Sequence, residues 1–338
     1  MDIIQTLAQQ LNLTAEQVGK TVQLIDEGNT IPFIARYRKE VTGSLDDSVL
    51  RTLDEKLTAL RNLAQRKQEV QDLIGAQGKL TEEVRAAIER AATVTEVDDI
   101  YRPFRPKRKT RASVARERGL EDLAILLFAQ EKSYTPSIEE QAARFVDPER
   151  EVPDVAAALQ GAMDIVAEEV SDNADYRREL RRLTFDAGSL TSKAAKEEDS
   201  VYAMYYDFSE PLRKLPGHRI LAIHRGEKEE FLKVALTVPE DVVLGYLYNR
   251  VLSGNRSPAE PYVREAVTDA YNRLIAPSIE REIRNDLFDT ACEGAIKVFS
   301  DNLGHLLMQP PLKGKVVLGF DPGYAHGCKV AVVDATGK

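Results

Sequence analysis

The residues best placed to do chemistry are cationic. Between Tyr101 and Arg118 the chain carries eight basic side chains, Arg102, Arg105, Lys107, Arg108, Lys109, Arg111, Arg116 and Arg118, and one acid, Glu117. That window is +7 in a chain whose formal net charge is -9, so the remainder is -16. Its core, Tyr101-Arg-Pro-Phe-Arg-Pro-Lys-Arg-Lys-Thr-Arg111, holds two prolines that keep the backbone extended and out of a helix. Cations on an extended segment follow a phosphate backbone, and Tyr101 or Phe104 offers a ring to a base. The competing reading is a solvated basic loop that pairs with the acidic body while Tyr101 and Phe104 anchor the core. A second cluster, Thr30-Ile-Pro-Phe-Ile-Ala-Arg-Tyr-Arg-Lys39, sets Phe33 and Tyr37 on one helical face and Arg36 and Lys39 on another. Thr30 caps this helix, Pro32 starts it and Gly43 ends it. Short helices joined by tight turns, one of them basic, suit a helix-turn-helix. The competing reading is a core helix whose arginines pair with Glu40, Asp46 or Asp47. The candidate nucleic-acid contacts are therefore Arg36, Arg38, Lys39, Arg102, Arg105, Lys107, Arg108, Lys109 and Arg111.

One carboxylate also invites a chemical reading. Asp321 ends the apolar run VVLGF (316–320) and begins an Asp-Pro-Gly turn before a second strand at 328–334. This is similar to how RNase H-like nucleases place their first metal-binding carboxylate, and to the phosphate-approaching turn that opens the actin/sugar-kinase fold. Two-metal chemistry needs several such oxygens around one site. Only 17 residues follow Asp321, and Asp334 lies at the far end of the second strand. The reading is therefore a turn without catalysis, no metal site and no cofactor. There is no HExxH, GxSxG, GxxxxGKS or CxxC motif, and the four histidines are scattered.

The elements that must position these residues are helical. The 338 residues provide two or three domains' worth of chain, and 43% hydrophobic with 30% charged residues excludes a mostly disordered protein. No apolar run approaches the ~20 residues of a membrane span, and no secretory leader is evident at the start. Cys292 and Cys328, the only two cysteines, exclude a disulfide scaffold and a structural zinc cluster, which points to a reducing, cytoplasmic setting. Trp is absent, so a wide stacking surface is not available. Helical periodicity opens at Ile3, at Thr14 with its capping box to Gln17, and at Asp46–Asp47, and later runs cover 120–130, 137–145, 153–172 and 174–187. Residues 217–238 are ambiguous: the stretch 231–238 alternates like a strand, but one strand alone builds no sheet. From Ala276 to Met308 an apolar stripe predicts either one long helix of about 50 Å or two shorter ones broken at Gly294 or Gly304. The strand–turn–strand after Pro311 reads as the start of a larger α/β domain.

Four segments carry a resemblance. GNTIPFIARYRKEVTGSLDD (28–47), YRPFRPKRKTRASVARERGLEDLA (101–124), GHRILAIHRGEKEEFLKV (217–234) and VVLGFDPGYAHGCKVAVVDATGK (316–338) resemble, in order, segments of the Tex family of bacterial transcription accessory proteins. The resemblance implies a mainly α protein: a helical N-terminal region with a helix-turn-helix-like unit (1–100), a central helical region with the basic loop (101–275), a long connecting helix (276–311) and the start of a truncated YqgF-type, RNase H-like α/β domain (312–338). The helix-hairpin-helix units and the OB-type RNA-binding barrel that follow in the family, where its main RNA affinity is assigned, lie beyond residue 338, so a fragment is expected. The implied function is a non-enzymatic, nucleic-acid-binding transcription accessory scaffold that needs no cofactor and no membrane. Its partners would be RNA or single- or double-stranded DNA, with RNA polymerase or the ribosome as protein partners. The alternatives are a metal-dependent RNase H-like nuclease or resolvase in the full-length protein, and a protein-interaction module docking the transcription or translation machinery.

Overall fold

The computed structural model describes residues 2–106, 109–196, 198–310, 312–323 and 327–338. The fold is mainly α. Its N-terminal helices are α1 (Ile3–Leu11), α2 (Ala15–Asp26), α3 (Ile31–Tyr37), the single turn α4 (Lys39–Thr42), α5 (Asp47–Ala76), α6 (Glu82–Arg90) and α7 (Val94–Tyr101). Local chemistry sets their ends. Thr14 and Gln17 close the capping box of α2, and the Asp46 carboxylate accepts from the backbone N–H of Val49 to open α5. Thr30 occupies the N-cap position of α3, but its hydroxyl makes no capping bond; Pro32 in the first turn supplies the preorganised φ instead. Gly43 ends α4 at φ 69°, where an added Cβ would lie 2.7 Å from Nε2 of Gln17.

Helix α5 is the spine. One end buries Leu53 and Leu57 against Leu7, Val18 and Val22, and its other end buries Leu63, Val70 and Ile74 with Ile88, Val97 and Tyr101. Leu50 joins Leu24, Ile34 and Leu45 in a third cluster that seats α3. Each fully buried Leu or Ile there contributes roughly 1.5–3 kcal/mol.

The chain then forms α8 (Arg111–Glu117), α9 (Glu121–Ala129), α10 (Ile138–Ala142), α11 (Val155–Asp172) and α12 (Ala174–Ala187), close to the periods read from sequence. Buried on most sides, α11 packs on α8 and α9. Gly161 makes that approach close: a Cβ there would lie 2.3 Å from Cδ1 of Leu120.

Next come β1 (Ser189–Ala194), β2 (Asp207–Pro211), α13 (Gly217–Lys228) and β3 (Leu232–Thr237). The three strands form one sheet in the order β2-β1-β3, which corrects the expectation that the strand near 231–238 had no sheet to join. The partners escaped notice because β1 reads SLTSKA and β2 reads DFSEP, with only Leu190 and Ser192 of the two buried. Ser192 survives burial because its hydroxyl donates to the Tyr205 carbonyl at 2.7 Å.

Helices α14 (Glu240–Val251) and α15 (Glu260–Asp269) lead through a π-helical stretch at Ala270–Ile275 into α16 (Ala276–Leu307). The long apolar stripe is thus one helix of 32 residues, with Pro277 in its first turn. Gly294 and Gly304 lower its intrinsic propensity without breaking it, and both point into open space. Strands β4 (Val317–Asp321) and β5 (Lys329–Val333) pair antiparallel, with Asp321 opposite Lys329. The chain divides into two compact units, one comprising residues up to Ser189 with Thr237–Arg281, the other Leu190–Leu236 with Glu282–Lys338.

Candidate nucleic-acid interface

Helices α2 and α3 are joined by Glu27–Thr30, with Gly28 at φ 84° making the turn. Ile34 anchors α3 in the core, which turns its neighbours outward. The Phe33 and Tyr37 rings lie 5.2 Å apart, tilted by 47°. The Arg38 guanidinium sits 5.1 Å from the Phe33 ring centre and that of Arg36 lies 6.0 Å from the Tyr37 ring centre. Tyr37 is 55% exposed. Arg38 also donates to the Tyr37 carbonyl at 3.1 Å.

Among the described residues, Arg36, Arg38 and Lys39 form no ion pair. The rival reading required Glu40, Asp46 or Asp47 to neutralise them, and the two aspartates are engaged elsewhere. Asp46 accepts from the Val49 N–H at 2.9 Å, which holds its carboxyl below the usual range, and Asp47 binds Arg51 at 2.6 Å. The patch is a cation–aromatic surface with its charge intact.

The 101–118 segment is different. Lys107 and Arg108 lie outside the described residues. Among the described residues of this segment, the extended backbone expected is found at Arg105 and Thr110. Tyr101 closes α7, Arg102–Phe104 form a 3-10 turn with Pro103 in its first positions, and Thr110 caps α8 through Ser113. Tyr101 is buried in the core and Phe104 packs against the same cluster, so Tyr101 is an anchor rather than a platform for a base. The guanidiniums of Arg66 and Arg105 lie 5.8 and 5.4 Å from the Tyr101 ring centre.

Most of the arginines here are paired. Arg102 lies 3.3 Å from Asp172 and Arg105 3.2 Å from Asp98. Arg116 binds Glu168 at 2.7 Å, and Arg118 binds Glu151. For Arg102 and Arg116 the reason is a ridge on α11. Asp164, Glu168 and Asp172 recur every four residues, so they stack along one helical face and repel one another unless cations intervene. Glu168 also accepts from the Thr110 hydroxyl at 3.0 Å. Burial pushes the Asp164 carboxyl up, against the pull of Arg273 and Arg111. Lys109 and Arg111 are exposed and form no ion pair among the described residues.

Sequence reading missed the most buried charge of all. Arg177 on α12 is fully buried; its Nε donates to Asp99 Oδ1 at 2.7 Å and its Nη2 to the Ser278 hydroxyl at 2.7 Å. Arg181 donates to the other Asp99 oxygen at 2.8 Å. No local pattern announces a partner 78 residues away. Asp321 is exposed at the end of β4, and among the described residues no three His, Cys, Asp or Glu side chains gather as metal ligands. Among the described residues, no helix is long and apolar enough to cross a membrane.

Comparison with known proteins bears on what this surface serves. The family model for the Tex-like protein N-terminal domain matches residues 1–75, that for the Tex central region matches 133–299, and that for the Tex protein YqgF-like domain matches 315–338. The chain belongs to the Tex family. Its relatives include YdcI of Bacillus subtilis, 44% identical over 99% of this chain and 47% of that protein. Transcriptional accessory protein Tex of Neisseria gonorrhoeae is 38% identical over 100% of this chain and 45% of that protein. The human S1 RNA-binding domain-containing protein 1 is 30% identical over 100% of this chain and 35% of that protein. The Tex-family chain thus spans about half the length, or less, of these relatives. The α3–α4 patch falls inside the matched N-terminal domain, and the basic segment falls between the matched N-terminal and central regions.

Proposed function

We propose that this Tex-family chain is a non-catalytic scaffold of a transcription accessory protein and that it contacts single-stranded nucleic acid through α3 and α4. The supporting observation is the unneutralised trio Arg36, Arg38 and Lys39 beside the exposed Tyr37 and the half-buried Phe33. Cations that track a phosphate backbone next to a ring that accepts a base are the two parts of a single-strand surface. The names of two relatives, a transcriptional accessory protein and an S1 RNA-binding protein, agree with this class of partner. Arg102, Arg105 and Arg116, held by Asp172, Asp98 and Glu168, lie outside this contact surface.

Fluorescence anisotropy of a labelled single-stranded oligonucleotide tests the reading. Neutralising three phosphates makes log K fall with log salt at a slope of about -2. The combined change Arg36→Ala, Arg38→Ala, Lys39→Ala flattens that slope and weakens binding. Absence of binding at low salt, or an unchanged slope in the triple variant, rejects the surface. Labelled RNA stays intact with magnesium or manganese; cleavage lost in Asp321→Asn would instead make the protein a nuclease.

A further inference from the structure

A groove of about 410 Å³ runs between α8 and α11. Lys109, Arg111 and Arg118 line it on one side, and Gln160, Gly161 and Asp164 on the other. We infer that this groove is a binding site for a terminal phosphate monoester, separate from the α3–α4 surface and independent of what that surface binds.

Three features carry the assignment. First, Lys109 and Arg111 present charged heads with no ion-pair partner among the described residues, although they stand among arginines that have one. Second, Arg118 commits one terminal nitrogen to Glu151 while its Nε–H is buried with no hydrogen-bond partner. A buried guanidinium donor without an acceptor is costly, and a rotation of the partly exposed Arg118 side chain that brings Nε–H to the groove would let an anion's oxygen satisfy it. Third, the single acid of the groove is already occupied: Asp164 lies 3.4 Å from Arg273 Nη2 and takes a further hydrogen bond from Gln160. With Arg118 matched by Glu151 and Asp164 engaged by Arg273, Lys109 and Arg111 leave two unmatched positive charges, which suit a dianion, the charge a phosphate monoester approaches at neutral pH. Charge-assisted hydrogen bonds from arginine forks are the usual means of holding it. The volume exceeds that of a bare phosphate and admits the nucleoside attached to it. Gly161 lets α11 come close enough to α8 to form the groove, because a side chain there would strike Leu120 and Ala115.

The phosphate can come from a free nucleotide or from the 5′ end of a nucleic acid strand. Isothermal titration of the chain with inorganic phosphate, adenosine 5′-monophosphate, and a short oligonucleotide with and without its 5′-phosphate separates them. Inorganic phosphate and the monophosphate carry no chain of phosphates, so they report on the groove alone and not on α3–α4. Binding of inorganic phosphate with the monophosphate tighter, and an oligonucleotide affinity indifferent to its 5′ end, assigns a free nucleotide. A 5′-phosphate preference of the oligonucleotide assigns a strand terminus. Lys109→Gln combined with Arg111→Gln lowers the affinity for inorganic phosphate by at least about tenfold, since each loses a charged hydrogen bond. Arg118→Lys keeps the charge but removes Nε–H, and lowers it as well. Circular dichroism confirms that both variants fold. No binding of inorganic phosphate or of the monophosphate, or binding unchanged in the Lys109/Arg111 variant, overturns the site.

Discussion

Asp99 illustrates how much one carboxylate organises. Its two oxygens take Arg177 and Arg181 of α12, and Arg177 in turn reaches Ser278 in the first turn of α16. Removing the acid takes the Asp99 carboxylate away from a fully buried guanidinium and from Arg181. Asp99→Ala is therefore expected to destabilise by about 3–5 kcal/mol, read from the urea midpoint. A loss below about 1 kcal/mol would show that water or another acid replaces it. Asp164 makes the opposite statement about pH. Its carboxyl is raised by burial above 3.8, its ordinary value, so the unfolded chain ionises first as pH rises. Above pH 3.8 the folded state holds the extra proton, and stability contributed by that proton declines as pH rises toward the folded value. Asp164→Asn lacks that decline. Its urea midpoint relative to the parent should climb as pH rises from about 3.5 to about 6, and a pH-independent difference would refute the assignment.

At the level of elements, helices α11 and α16 carry the contrast. Glycine in α11 is required: Gly161→Ala forces a carbon within 2.3 Å of Leu120 and 3.3 Å of Ala115, and should cost about 1–3 kcal/mol. Glycine in α16 is dispensable. Nothing lies within 4 Å of a Cβ at Gly294, so Gly294→Ala should raise stability by up to about 1 kcal/mol. Thermal unfolding of the two variants checks both signs at once; two losses or two gains would contradict the packing described. The acidic ridge of α11 also explains why a +7 segment is a weak predictor of a binding loop. Three carboxylates on one helical face must be neutralised by something, and the segment itself supplies the cations for two of them, Arg102 for Asp172 and Arg116 for Glu168, while Arg273 meets Asp164.

For the molecule as a whole, an acidic body presents local cationic surface. The net charge of -9 repels a polyanion at long range while Arg36, Arg38 and Lys39 attract it at contact. Oligonucleotide affinity should accordingly rise as pH is lowered from about 7.5 to about 6 toward the pI near 5.3, with the larger change in the association rate. A flat profile would mean that the body's charge is too distant to matter.

The sequence by itself determined many of the helices, several of their caps and the mainly α class. These depend on neighbours three and four residues apart, Thr14 with Gln17 and Asp46 with Val49, whereas the stripe along α16 left one helix or two open. It also marked Arg36, Arg38 and Lys39 as a basic cluster, and the four family segments in order. Only the tertiary structure decided which cations stay available. A carboxylate lies opposite Arg102 and Arg116 because α11 packs against their segment, and none of the described ones meets Arg36, Arg38 or Lys39 because Asp46 and Asp47 are consumed by the start of α5. Pairing across 52 residues, as between Arg116 and Glu168, leaves no periodic trace in the chain. The three-stranded sheet stayed hidden for the same reason, since a strand is completed by partners distant in sequence whose polar residues look like loop until they pair.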